Sequence, residues 1–142
     1  MIKSFKQISV FIENKPGRLA TVTGILNDHK INIHAMSLAD TADYGIVRMV
    51  VSDPDAVKAL LRGNGLLVET TDVAAVLLKD EPGSLHNLLC KLAAEQISVE
   101  YMYAFSSHLK EHDAIVILRL ADQENAVAKM QKLDIGMLNK LG

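Results

Sequence analysis

The tetrapeptide Pro16-Gly17-Arg18-Leu19 returns as Pro82-Gly83-Ser84-Leu85, 66 positions further on (82 − 16). Both times it stands between an apolar, strand-like run and an amphipathic, helix-like one. Recurrence at a fixed period marks a duplicated supersecondary unit, so a chain of 142 residues is restricted to two small copies of one fold. The same feature places a glycine-containing turn ahead of a helix N-terminus at two equivalent positions. There, exposed backbone N–H groups and the helix dipole can receive a small polar molecule.

The copies match element by element. Gln7 to Asn14 (QISVFIEN) corresponds to Val73 to Asp80 (VAAVLLKD), and each run ends in a short polar side chain two residues before Pro-Gly. Ile8, Val10 and Ile12 alternate with Ser9 and Phe11, the period-2 pattern of a strand with one face suited to burial. Leu19, Val22, Ile25 and Leu26, and in the second copy Leu85, Leu88, Leu89 and Leu92, have the spacing of a helix stripe laid on a sheet, with Leu19 and Leu85 expected in the core. Ile31 to Leu38 and Ile97 to Ala104 read as second strands, and Tyr44 to Val51 and Asp113 to Leu120 as third strands. By the next Asp the offset has grown to 69 (122 − 53), so the second copy carries about three extra residues. They fall in Ser106 to His112, a hairpin where added length costs little.

Asp53-Pro54 opens a second helix, since Asp caps orphan N–H groups and Pro suits the first helical position. Asp122 opens its counterpart. Val57, Leu60 and Leu61, and then Ala126, Val127 and Met130, form the buried stripes, and Gly63 or Gly65 ends the first of these helices. Leu66 to Thr70 makes a closing strand that runs almost without a linker into the second copy, while the stretch after Leu133 predicts only a weak equivalent. The order β-α-β-β-α-β is the ferredoxin-like arrangement. The fold class expected is therefore α+β: two such units, residues 1–71 and 72–142, each with two helices on one face of a four-stranded antiparallel sheet.

Composition narrows the function. Net charge is −2 with acidic and basic residues interspersed, which argues against nucleic acid, because phosphate affinity comes from clustered Lys and Arg. An RNA-reading sheet needs aromatics on its central strands; the first unit offers Phe11 and none in Gly45 to Val51. No apolar run approaches the roughly 20 residues of a membrane span, and Met1 to Lys6 lacks the features of a signal peptide, so a cytoplasmic location is expected. A single cysteine, Cys90, suits a reducing compartment. Its place beside the leucine stripe predicts a buried or half-buried thiol. No nucleophile, phosphate-loop or dinucleotide motif occurs. Catalytic residues, cofactor and metal are accordingly all expected to be none; His108 and His112 have helical ligand spacing but no third ligand nearby.

Ile12-Glu13-Asn14-Lys15-Pro16-Gly17-Arg18-Leu19, followed at helix length by Lys30-Ile31-Asn32-Ile33, resembles an ACT domain, the amino-acid-sensing module of regulated enzymes of amino-acid metabolism. Leu78-Lys79-Asp80-Glu81-Pro82-Gly83-Ser84-Leu85 with Gln96-Ile97-Ser98-Val99 is a second copy, so the resemblance covers nearly the whole chain. It implies an amino-acid site at the loops, between adjacent domains, drawing on Asn14, Pro16, Gly17, Arg18, Leu19, Asn32 and Ile33. The matching positions of the second copy are Asp80, Gly83, Ser84, Leu85 and Ser98. Asn14 carries both an acceptor and donors, as a zwitterion requires, whereas Asp80 favours an ammonium and repels a carboxylate. Asn14 and Asp80 equally suit plain Asx turns, and Lys15 and Arg18 solvated charges. Some serine-sensing members have His where this chain has Ile12, so serine specificity is not carried over.

The resemblance further implies a non-catalytic regulatory protein, a homodimer that signals in trans. The alternative is a regulatory or structural subunit docked on an enzyme of amino-acid metabolism, similar to the small subunit of acetolactate synthase.

Overall fold

A computed structural model describes residues 5–40, 43–106, 113–133 and 135–138. The described residues form two compact units, Lys6 to Thr71 and, with Phe5, the residues from Asp72 onward. Eleven elements follow in order among the described residues: β1 (Phe5–Glu13), α1 (Arg18–Asp28), β2 (Ile33–Asp40), β3 (Tyr44–Val51), α2 (Pro54–Gly63), β4 (Leu67–Lys79), α3 (Ser84–Ala94), β5 (Val99–Ser106), β6 (Asp113–Leu120), α4 (Gln123–Gln131) and β7 (Met137–Leu138). The closing strand of the first repeat and the opening strand of the second are one 13-residue strand, β4.

Each unit has the ferredoxin-like sheet order. In the first the order is β4-β1-β3-β2, and in the second β7-β4-β6-β5. The pairs β1–β3, β2–β3, β4–β6, β5–β6 and β4–β7 are antiparallel. The weakly predicted last strand exists as two residues, Met137 and Leu138, opposite Val76 and Ala75. The inserted hairpin, with His108 and His112, lies outside the described residues.

The alternating positions expected to be apolar form the two cores. Ile8, Val10 and Ile12 pack with Val22 and Leu26 of α1 and Val57 and Leu61 of α2. Ala74 and Val76 pack with Leu88 and Leu92 of α3 and Ala126, Val127 and Met130 of α4. Two expectations fail here. Leu85 is 38% exposed, because it sits on the opening turn where the Leu88–Leu92 stripe runs out. Its counterpart Leu19 is half-buried against the core. Cys90 is exposed, since at 100° per residue it stands roughly 200° around α3 from Leu88, on the far side from the core. On the face of β1 away from the helices, Gln7 and Ser9 are buried as well, with Gln7 Nε2 donating to Ser9 Oγ at 3.4 Å.

The helix starts differ within each unit. Asp53 caps α2 as expected, its Oδ1 accepting from Ala56 N–H at 3.2 Å. Asp122 does not cap α4 in that way. It adopts a left-handed backbone (φ 52°), and its Oδ2 accepts from Asn125 Nδ2 at 2.7 Å.

Candidate ligand-binding site

The Pro-Gly loops repeat down to single hydrogen bonds. After β1, Lys15 N–H donates to Glu13 O (2.9 Å), Arg18 N–H to Lys15 O (3.3 Å) and Thr21 N–H to Gly17 O (2.9 Å). After β4, Glu81 N–H donates to Lys79 O (2.9 Å), Ser84 N–H to Glu81 O (3.3 Å) and Asn87 N–H to Gly83 O (2.9 Å). Gly17 (φ 85°) and Gly83 (φ 93°) occupy the N-cap positions in the left-handed region, which explains why glycine stands there. Neither helix start has a side-chain cap, so the first turns of α1 and α3 present N–H groups that no side chain of the loop satisfies.

Beside each loop lies a cleft built within its own unit. The first, about 270 Å³, is bounded by the end of β1 (Phe11, Ile12, Glu13), the first turn of α1 (Arg18, Thr21), Tyr44, and Gly65 to Leu67 leading into β4. The second, about 230 Å³, is bounded by the end of β4 (Leu77, Leu78, Lys79), Glu81, the start of α3 (Ser84, Asn87), and Ile135 with Gly136 ahead of β7. Phe11, Ile12, Glu13, Arg18 and Thr21 of the first cleft correspond at an offset of 66 to Leu77, Leu78, Lys79, Ser84 and Asn87 of the second. Both volumes lie below the roughly 300–1,000 Å³ typical of drug-sized ligands, a size suited to a single small metabolite.

The charge at the first cleft is organised. Glu13 Oε2 lies 2.8 Å from Lys15 Nζ and 3.9 Å from Arg18 Nη2. The hydrogen bond and charge of Lys15, and then the charge of Arg18, hold the Glu13 carboxyl below the usual carboxylate range. The arrangement therefore offers a permanent guanidinium and an ionised carboxylate next to the apolar surface of Phe11, Leu66 and Leu67.

Of the residues predicted for the first site, only Arg18 lines this cleft; Ser84 alone does so in the second. Asn14, Pro16 and Gly17 are exposed on the loop itself, and Asn14 N–H donates to Asp43 O at 3.0 Å. Asp80 and Gly83 are likewise exposed. Asn32 and Ser98 sit one residue ahead of β2 and β5, with Ile33 the first residue of β2. Since β1 and β2 both run antiparallel to β3, they are parallel to each other, and Asn32 is at the opposite end of the sheet from Asn14. Glu13 pairs with Tyr44 and Ile33 with Val51, seven residues along β3 (51 − 44), or about 24 Å at a strand's rise. The same relation holds for Asp80 and Ser98 in the second unit. A single unit therefore does not bring the two Asn positions together. Sequence reasoning missed Phe11, Thr21, Tyr44 and the Gly65–Leu67 segment. The available signal was Gly65, whose left-handed turn (φ 81°) brings the chain back past the end of β1.

Comparison with known proteins agrees with this geometry. A model of the ACT domain pair matches residues 3–140. The crystal structure of protein BT0572 from Bacteroides thetaiotaomicron is similar at 36% identity and a TM-score of 0.89, covering 96% of this chain and 93% of that one. At 13% identity, the ligand-free regulatory subunit of aspartate kinase from Thermus thermophilus shares the fold, with a TM-score of 0.64 over 92% of this chain and 93% of that one. The corresponding subunit from Thermus flavus gives 0.61 at 17% identity over the same shares. No curated protein sequence matches the chain. With two ferredoxin-like units, each carrying the Pro-Gly loop ahead of its first helix, and a family match over nearly its full length, the chain belongs to the ACT domain pair family.

Proposed function

We propose that this is a non-catalytic regulatory protein that binds an amino acid or a similar small metabolite at its β1–α1 loop and reports occupancy to another protein. The observation that carries this reading is the uncapped, glycine-initiated helix start beside a small cleft, present in each unit. In the first unit Arg18 supplies a partner for a carboxylate, Glu13 and the Asn14 amide partners for an ammonium, and Leu66 and Leu67 an apolar wall. Asn14 and Asn32 lie at opposite ends of the same unit, so a ligand that touches both needs the first unit of a second chain, which is the reason for proposing a homodimer. Binding across copies biases their arrangement, and this converts affinity into a signal. The exposed thiol of Cys90 favours the reducing environment of the cytoplasm.

Calorimetry of the full chain with a panel of free amino acids tests the assignment. Asn14→Ala is expected to weaken binding more than Asp80→Ala, and equal losses reject it. The alternative, a subunit docked on an enzyme of amino-acid metabolism, draws on the large apolar side chains left at the surface, Leu67 at 62% and Tyr44 at 58% exposure. Recovery of a stoichiometric enzyme from native extract supports the docked subunit; a lone oligomer that binds metabolite supports the sensor.

A further inference from the structure

In the second unit β5 is the outermost strand, pairing among the described residues with β6 alone. Its sequence, VEYMYAFS, holds no Lys and no Pro and carries one charge, Glu100. Lys, Pro and inward charges are what usually blunt an edge strand, because an open row of backbone N–H and C=O groups is a template for another strand. Tyr101, Tyr103 and Phe105 alternate along β5 opposite Arg119, Ile117 and Ile115. They therefore share the face turned away from the helices, while Met102 faces the helix-side core. Three of the chain's six aromatic residues stand on this one edge. All three are only half-buried, whereas the neighbouring β6 is buried at six of its eight positions.

We infer that β5 pairs antiparallel with β5 of a second copy of this chain, about a two-fold axis at Tyr103. The spacing of the aromatics selects this occupant. Tyr-x-Tyr-x-Phe has the same pattern from either end, so a copy centred there sets Tyr103 against its own equivalent and each Tyr101 against a Phe105. Three cross-strand aromatic pairs then lie on one face, contacts that stabilise antiparallel pairing. A slip by one residue brings opposite faces together, and a slip by two leaves an aromatic on each chain without an aromatic opposite. On the other face of the strand, Ala104 stands opposite Met102. The outer strand of the first unit, β2 (IHAMSLAD), holds no Phe, Tyr or Trp and has no such match. A two-fold contact uses the same edge on both copies and closes on itself. It lies in the second unit and needs no ligand, so it stands apart from the reading of the Pro-Gly loops.

Sedimentation velocity of the full chain without any amino acid tests it, and a dimer is expected at micromolar concentration. Ala104 is exposed, and in this register its two copies are diagonal neighbours across the pairing. Ala104→Lys and Ala104→Glu, each alone, should weaken the dimer by about fivefold or more through like-charge repulsion. An equimolar mixture of the two should restore it, which misfolded chains would not do. Leu38→Lys, at a β2 position that is 53% exposed, should leave the dimer unchanged. A monomeric chain, a dimer indifferent to both Ala104 substitutions, or variants that mixing does not restore overturn the inference. Dissociation by Leu38→Lys in place of the Ala104 substitutions moves the contact to the first unit, which overturns this inference and spares the loop reading.

Discussion

Residue by residue, the sites that matter most are those where the backbone has positive φ. Gly17 and Gly83 hold left-handed turns with open space around the absent Cβ, so an added methyl meets no neighbour and only the backbone resists it. Gly17→Ala and Gly83→Ala should each cost about 1–2 kcal/mol by chemical denaturation, the penalty of a left-handed L-residue. Lys30 and Gln96, 66 residues apart, both sit at φ 57° just past the ends of α1 and α3. Ile31 N–H reaching Leu26 O and Lys30 N–H reaching Asn27 O form a helix-end motif that usually places glycine there, and Ile97 and Gln96 repeat it. Lys30→Gly and Gln96→Gly should therefore stabilise the protein by about 0.5–1 kcal/mol, measured the same way.

Glu13 supplies a pH test at the same scale. Its carboxyl is held low first by Lys15 and then by Arg18. A lowered folded-state pKa means that the stabilising contribution is present above the unfolded pKa and is lost as pH falls through the folded one, on the acid side of the ordinary carboxylate range. Lys15→Gln should move the Glu13 titration seen by NMR back up towards that range; an unmoved titration would assign the shift elsewhere.

Elements show which parts of the fold were legible in the chain. The strands Tyr44–Val51 and Asp113–Leu120 appear with their expected bounds, because both are apolar runs bordered by polar residues. Helix α2 is equally legible: Asp53 caps it and Pro54 opens it. Replacing Asp53 by Ala should cost about 1 kcal/mol of stability in denaturant unfolding, the usual worth of a side-chain N-cap. Asp122 has the same residue type and a different role, since a side chain caps only from an extended backbone, and nothing local in the chain reveals its left-handed φ. The matching register shifts between Ile33 and Ala35 and between Val99 and Tyr101 were equally hidden, because a bulge depends on pairing with β3 and β6. Leu85 was misplaced because periodicity identifies a stripe without saying where the sheet stops covering it, whereas the angle of about 200° between Cys90 and Leu88 was legible in the spacing itself.

At the scale of the whole chain, duplication preserved the backbone and let the side chains diverge. Loop hydrogen bonds, the left-handed pairs Gly17/Gly83 and Lys30/Gln96, and the bulges recur at an offset of 66. The cleft residues do not: Glu13, Arg18 and Thr21 become Lys79, Ser84 and Asn87. The loops were legible because Pro-Gly is a local signal. The clefts were not, because Gly65–Leu67 and Ile135–Gly136 reach them only through sheet pairing. The first-unit loop is the proposed amino-acid site. A thermal-shift screen of the full chain against the twenty free amino acids tests it directly, since a ligand that binds only the folded state raises its stability with occupancy. At least one amino acid is expected to raise the melting temperature in a concentration-dependent way, and Asn14→Ala to diminish the rise. No shift with any of them, or a shift that Asn14→Ala leaves intact, would contradict it.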